Sequence, residues 1–514
     1  MKKLLRETIQ LEKIVGGGQA LGTLADGRKA FVWGGLPGET VVAEFATQKR
    51  NYVEGIVTEV VSASPERLTP KDPASYLSTS PWQIMSFTAE QSHKQHLIDE
   101  AFELHGITLP STTEVYSNGQ QYAYRNKVEF SFWWDNESSQ LDLAFFRRGS
   151  HGKIPVDGTA LARPEINQLA LTIRDILRTK AVEARSLKTL MIRCDQQGNC
   201  VFQLYVKDSP TTTGGQADYV ITEADFATTG AQGGEVIYSD YRSPASIITE
   251  RLATYGNTTL TDTVLGVPFR YACEGFFQVN IPVYEQALRD MKGWVTLELS
   301  SMQQVAGSME AAAAGTFGTG SEEGSAFPAE RGKTSDQLAP SESSEMPVSK
   351  MPASNLRKHP TETPDITDEE KSGDLKHAVV DFYSGVGSIG FTIGGDDLTL
   401  VELNPAAVAE MRRNRKALGK KATVVEASAE TSLDYISADA IIIVDPPRAG
   451  LHDNVTARLL EVRPPRIIYL SCNPVTQARD VSRLLDAYRI TTHRGYNFFP
   501  RTPHIEHLVV LELL

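Results

Sequence analysis

The chain is poor in cysteine: Cys194, Cys200, Cys273 and Cys472 are the four in 514 residues. So few and so scattered, they exclude a disulfide framework and a four-thiolate metal site, and each is read as a free thiol. No metal site is expected. Long apolar runs are missing too. Nothing approaches the ~20 consecutive apolar residues of a membrane span, and the N-terminal MKKLLRETIQ turns polar before the apolar stretch of a signal peptide would be complete. No membrane partner is expected, and the cytoplasm is the expected location. The third shortage is positive charge. With 51 Lys plus Arg against 64 Asp plus Glu, the formal net charge is −13, which argues against a polyanionic partner. The distribution weakens that objection, because residues 301–376 hold 13 acidic against 7 basic side chains. Net charge here bounds solubility more than the choice of partner.

With 41% hydrophobic residues and a length beyond the roughly 100–200 residues of one domain, the chain divides. Residues 1–62 carry five short alternating runs, Ile9–Ile14, Ala20–Leu24, Lys29–Val32, Thr40–Thr47 and Tyr52–Val61, punctuated by Gly16-Gly17-Gly18, Asp26-Gly27, Gly34-Gly35 and Pro37-Gly38. They predict a small β-barrel, of the OB type or another, with Lys49, Arg50, Asn51 and Tyr52 as a surface suited to single-stranded RNA. Residues 63–270 read as mixed α+β. Helices are predicted at Ser92–His105 and Pro164–Leu177, with β-rich runs at Arg125–Trp134, Leu141–Arg148, Thr189–Cys194 and Val201–Val206. Arg125, Lys127, Arg147, Arg148 and Lys153 lie among Tyr124, Phe130, Phe132, Trp133, Phe145 and Phe146; such a surface can hold phosphates and stack bases, or be an ordinary amphipathic sheet. Cys194 and Cys200 flank a predicted hairpin turn and read as a structural cross-strand pair. Residues 271–300 begin the next domain with a helix at Ile281–Trp294. Residues 301–376, rich in Ser, Gly, Pro and Glu, are read as a disordered insertion. From 377 to 514, Ala378–Phe382, Leu398–Glu402, Thr423–Glu426, Ala440–Val444 and Arg466–Leu470 alternate with helical stretches such as Pro405–Leu418, which predicts a doubly wound α/β sheet.

The chemistry gathers on that sheet. Asp381-Phe-Tyr-Ser-Gly385-Val-Gly387-Ser-Ile-Gly390 follows a strand and opens a helix, and Glu402 ends the next strand 21 residues after Asp381, placed for the two hydroxyls of a ribose. No GxxxxGK[ST] is present, so S-adenosylmethionine is favoured over a nucleoside triphosphate or a dinucleotide. Asp445-Pro446-Pro447-Arg448 follows the strand Ala440–Val444, either as a bare strand stop or as polar groups turned to a cleft. Cys472, in Leu470-Ser471-Cys472-Asn473-Pro474, could be a buried small hydrophobe. Its place at a strand's carboxyl end argues instead for a nucleophile, with Arg448 favouring the thiolate. Glu506 opens the last strand, Leu508–Leu513, where a carboxylate can serve as general base.

Together DFYSGVGSIG, VDPPRAGL, YLSCNPVTQARD and FFPRTPHIEHL, with CEGFFQVN at 273–280, YRNKVEFSFW at 124–133 and FFRRGSHGKIPVDG at 145–158, closely resemble the signature set of the RNA uracil-5-methyltransferases, which modify bacterial 23S rRNA and the T-loop of tRNA. Residues 1–62 resemble the TRAM domain of many members. The resemblance implies a Rossmann-like methyltransferase sheet, S-adenosylmethionine as cofactor and a target base lifted from its stack. It implies Cys472 adding to carbon 6 of uracil, and Glu506 taking the proton from carbon 5 after methylation. It also implies Gln278, Tyr383, Glu402 and Asp445 as residues that contact the cofactor or lie against the uracil. The TRAM-like segment favours 23S rRNA over tRNA, and a monomer is the working expectation.

Two features depart from the family pattern. Many members bind an iron–sulfur cluster through cysteines before and within the region at 76–85, but here that stretch reads Tyr76-Leu-Ser-Thr-Ser-Pro-Trp-Gln-Ile-Met85. No iron–sulfur cluster is therefore expected, and packing is expected to hold the site instead. The other departure is the 301–376 insertion. Two rival readings stay open: methylation of an amino group of a base, which also uses Asp-Pro-Pro loops but needs no thiol, and a non-catalytic RNA-binding or RNA-folding factor.

Overall fold

The computed structural model describes residues 4–150, 152–208, 217–244, 246–297 and 377–514; the expected disorder of 301–376 falls outside them. β1 (Leu5–Ile14), β2 (Ala20–Thr23), β3 (Lys29–Trp33), β4 (Thr40–Gln48) and β5 (Tyr52–Ser62) close a barrel in the order β1-β2-β3-β5-β4, with β3 and β5 parallel. Alternation puts Ile9, Leu11, Val32, Val41, Ala43, Phe45 and Val53 inside. After it come the helix Phe87–Glu103 and a two-residue strand, β6 (Val115–Tyr116).

β7 (Lys127–Asp135), β8 (Gln140–Phe146), β9 (Lys153–Val156), β10 (Leu187–Cys194), β11 (Cys200–Val206), β12 (Gly233–Tyr238) and β13 (Glu250–Gly256) form a seven-stranded sheet, ordered β13-β12-β11-β10-β7-β8-β9. The helix Pro164–Thr179 covers it with Ile166, Leu169, Ala170, Ile173 and Leu177. Cys194 and Cys200 are buried register partners across the β10–β11 turn. The Asp195 carboxylate braces that turn by accepting from the backbone N–H of Gln197 and Asn199 at 3.0 and 2.9 Å. A hairpin, β14 (Thr259–Val264) with β15 (Val267–Ala272), leads to the helix Ile281–Thr296.

β16 (Ala378–Phe382), β17 (Leu398–Glu402), β18 (Thr423–Glu426), β19 (Ala440–Val444), β20 (Arg466–Ser471), β21 (Tyr488–Tyr496) and β22 (Glu506–Leu513) join β6 in an eight-stranded sheet, ordered β18-β17-β16-β19-β20-β22-β21-β6. β16 to β20 run parallel and β22 is antiparallel to both neighbours. β19 and β20 are buried along their whole length, as expected of strands covered on both faces. The order reverses at β16, which opens a crevice at the carboxyl ends of β16 and β19. The expected doubly wound α/β architecture is present, and so is a closed five-stranded barrel. The helix predicted at Ser92–His105 runs from Phe87 to Glu103, and its Ile98, Ala101 and Phe102 enter the core beneath the eight-stranded sheet.

Candidate active site

The sheet order decides which loops meet. Asp445 leaves β19, Cys472 leaves β20, and Glu506 opens the antiparallel β22; Ser471 stands opposite His507 in the β20–β22 register. Three loops from neighbouring strands therefore converge at one edge, and they bring Cys472, Asp445, Glu506 and Arg448 into electrostatic contact. Asn473 caps the helix Pro474–Leu484 through Val475 N–H, and its amide donates to the carbonyl of Arg448 at 2.9 Å, tying the cysteine loop to the Asp-Pro-Pro-Arg loop. Asp480 reinforces the tie, accepting from Leu451 N–H at 2.7 Å and from the Tyr469 hydroxyl at 2.9 Å.

Cys472 is half-buried, whereas the other three cysteines are buried. Withdrawal from water, with the charges of Glu506 and Asp445, raises its thiol to about 11, although the Arg448 guanidinium pulls the other way. The sequence reading, that Arg448 would favour the thiolate, thus names a real contact but not the dominant effect in the free protein. Burial lifts Asp445 to about 7. Glu506 stands well above the usual carboxylate range, because it is buried and faces Asp445. Burial favours the protonated form of both acids, the Asp445 charge adds to it at Glu506, and a cation arriving beside them would favour ionisation.

The end of the crevice at β16 is built from backbone. Tyr383 has φ +64, Gly385 φ +56 and Gly387 φ +85. A side chain on Gly387 would stand 2.5 Å from the Phe391 ring, so the loop needs glycine there. Glu402 accepts from Gly385 N–H at 2.9 Å and from Asn404 N–H at 2.7 Å. Asp381 is fully buried and raised to about 8; its Oδ2 accepts from Gly390 N–H at 3.0 Å, while Oδ1 has no partner among the described residues. An open glycine loop, a strand-end carboxylate and an unsatisfied buried acid oxygen fit a bound nucleoside with a cationic tail.

Gln278 lies across a cleft of about 530 Å³ lined by Arg125, Lys127, Phe145, Phe276, Gln278 and Phe499, among others. Cys472, Asp445 and Glu506 are not among its walls. Two groups that the sequence did not single out set the Gln278 segment. Asn126 donates to the carbonyl of Gln278 at 3.0 Å, and the buried Arg193 donates to the carbonyls of Gly275 and, at 2.7 Å, Phe277.

The loop before Glu506 is anchored by the N-terminal third. Lys94 is fully buried, pairs with Glu90 at 3.1 Å and donates to Asn497 Oδ1 and the carbonyl of Phe499. Glu90 accepts from Arg501 N–H at 3.0 Å and from the amide of Asn497 at 2.9 Å. Nearby, Asp72 gathers three segments, accepting from Gln83 Nε2 at 3.0 Å, Thr159 Oγ1 at 3.0 Å and Ala160 N–H. Packing was expected to hold the 76–85 region, and Trp82, Ile84 and Met85 do pack in the barrel core; the polar hubs add to that packing. The signal available in sequence was slight: Glu90 and Lys94 stand i,i+4 on a helix, the pattern of many solvated ion pairs.

Comparison with known proteins fits this geometry. Residues 420–513 match the family model described as tRNA (Uracil-5-)-methyltransferase. Two uncharacterised RNA methyltransferases are similar over nearly all of the chain. That of Nitratidesulfovibrio vulgaris is 23% identical, covering 98% of this chain and 95% of its own, and that of Lactiplantibacillus plantarum is 25% identical, covering 95% and 93%. The crystal structure of Pyrococcus abyssi tRNA (uracil-54, C5)-methyltransferase in complex with S-adenosyl-L-homocysteine superposes with a TM-score of 0.66 at 17% identity, covering 99% of this chain and all of the other, and so shares the fold. The resemblance carried by the motifs is thus borne out, and with it the expectation of an RNA methyltransferase.

Proposed function

We propose, with the likeness to RNA methyltransferases as premise, that this chain forms 5-methyluridine in RNA by covalent catalysis through Cys472. The observation that carries the reading is the convergence of Cys472, Glu506, Asp445 and Arg448 at the adjoining ends of β19, β20 and β22. Carbon 5 of uracil is a poor nucleophile. Addition of the Cys472 sulfur to carbon 6 moves the ring's π electrons onto carbon 5 and oxygen 4. The glycine loop, Glu402 and Asp381, with Tyr383, Gln278 and Asp445 at the border to the base, would hold S-adenosylmethionine, which would supply the methyl group and a positive charge. That charge would favour the ionised forms of Asp445, Glu506 and Cys472, whose pKa values burial raises in the free protein. Glu506 then takes the proton from carbon 5, the carbon 5–carbon 6 double bond reforms, and Cys472 leaves.

The basic and aromatic walls of the cleft, Arg125, Lys127, Phe145 and Phe499, suit a single-stranded or looped RNA whose target base has left its stack. We read residues 1–62 as a TRAM-like barrel, 63–270 as the RNA-binding region and 271–300 with 377–514 as the methyltransferase domain. The substrate favoured is 23S rRNA, with a tRNA T-loop uridine as the second candidate, and the cytoplasm is the location inferred; no described helix is long and apolar enough to cross a membrane.

Incubation with RNA carrying 5-fluorouridine tests the chemistry, because the fluorine cannot be removed as a proton. A stable protein–RNA adduct mapped to Cys472 is expected; methyl transfer by Cys472→Ala would instead favour methylation of an amino group. Mapping 5-methyluridine in rRNA and tRNA from cells lacking the protein identifies the substrate.

A further inference from the structure

The residue two before Glu506 has no part in the chemistry above, yet its hydrogen bonding is fully determined. Arg448 Nη2 lies 2.7 Å from Nδ1 of His504. A guanidinium has only donors, so Nδ1 must accept, and the single ring proton of His504 must sit on Nε2. Nε2 has no hydrogen-bond partner among the described residues, and part of the side chain stays open to solvent. Ile505 is buried in the core beneath the sheet, whereas His504 leaves that core to meet Arg448 and Phe499. Arg448, which holds His504, also adjoins Cys472. The ring edge packs on Phe499 of the cleft, 5.9 Å between centroids.

We propose that His504 is a fixed-tautomer donor whose Nε2–H bonds oxygen 4 of the target pyrimidine, selecting uracil and stabilising the charge that develops on that oxygen. Addition at carbon 6 pushes an electron pair onto oxygen 4, and a pre-aimed neutral donor there acts in the transition state more than in the ground state. Cytosine carries an amino group at the same position and meets the donor with donors. Neutrality is secured by surroundings. Partial burial and the cations Arg448, Lys94, Arg125 and Arg148 lower the His504 pKa to about 4, so the ring stays neutral throughout the physiological range. Arg448 is thereby a positioning residue for His504 as well as a neighbour of the thiol.

The inference rests on the uridine reading, and the experiment separates the two. With a uridine oligonucleotide as substrate, His504→Phe keeps the ring contact with Phe499 and lowers kcat/KM by roughly 100-fold, while His504→Gln, which retains an N–H donor, recovers part of the loss. Replacing the target by 4-thiouridine, whose sulfur is a weak acceptor, costs the wild type a similar factor and costs His504→Phe nothing further. The wild type alone supplies a second measurement: 4-thiouridine is penalised and 2-thiouridine is not. An equal response to the two thio-substituted targets, or losses that multiply in His504→Phe, would overturn the role of His504 while leaving the adduct at Cys472 intact. Absence of any wild-type adduct with 5-fluorouridine RNA would overturn the uridine reading, and this proposal with it.

Discussion

The two ends of the site are built differently. The end proposed to hold the cofactor is local: Asp381, Tyr383, Gly385, Gly387 and Glu402 lie within one strand–loop–helix–strand unit, braced through backbone N–H groups. The end proposed for catalysis is assembled from afar. The segment ahead of Glu506 is pinned by Glu90 and Lys94, more than 400 residues earlier. A local site can be specified by short-range geometry and tolerates change elsewhere. A distant one depends on buried charges that must arrive together, and removing one partner leaves the other uncompensated.

Four substitutions test that contrast. Lys94→Met should have the largest effect, destabilising the fold by about 3 kcal/mol, the low end for a broken buried pair, since Asn497 and Phe499 lose their donor while Glu90 keeps Arg501 at 3.8 Å. Chemical denaturation should record this, and methyl transfer at temperatures where the variant stays folded should fall while cofactor affinity measured by calorimetry is retained. Glu402→Ala should act in the opposite sense. Losing charge-assisted bonds to a ribose costs about 1.5–3 kcal/mol, or roughly 10- to 100-fold in cofactor Kd, with the iodoacetamide reactivity of Cys472 unchanged; altered thiol reactivity would mean the ends are not separable. Gly387→Ala forces a side chain onto the Phe391 ring at φ +85 and should cost about 1–3 kcal/mol, seen as weaker cofactor binding before any loss of the RNA adduct.

The smallest effect concerns pH. An acid whose folded-state pKa stands above its unfolded value takes stability away as pH climbs through the interval between them. For Asp445 that interval runs from about 4 to about 7, and for Glu506 it extends upward from the ordinary carboxylate value. Glu506→Gln should therefore match the wild type in thermal stability below pH 4 and exceed it, by a few degrees, at pH 8, while methyl transfer drops roughly 10²- to 10⁴-fold. A variant less stable than wild type at pH 8 would contradict the burial argument.

The same contrast explains what could be read in advance. Ala378–Phe382, Leu398–Glu402, Thr423–Glu426 and Ala440–Val444 appear with the expected bounds; the inner strands announce themselves as mostly apolar runs, and the edge strand Thr423–Glu426 by its β-branched residues. The barrel was legible through alternation and glycine punctuation. β13, with its mostly exposed pattern, and β21, carrying Thr491-Thr492-His493-Arg494 in its middle, lack either signal and were not found. Asp445, Cys472 and Glu506 were legible because strand ends announce themselves; their meeting follows from sheet order. Lys94, Asp72, Arg193 and Asn126 were not, since each earns its role only through a partner distant in sequence, and nothing in a helix reading of Phe87–Glu103 says that its charges are buried.

β6 pairs with the outermost strand of the C-terminal sheet, Val115 with Gly495 and Tyr116 with Tyr496. During synthesis these two residues emerge long before their partner exists, so the eight-stranded sheet cannot finish until almost the whole polypeptide has left the ribosome. Until then β6 has no partner, and a prematurely released or truncated chain lacking β21 and β22 would present the open hydrogen-bonding edge of β20 to other molecules.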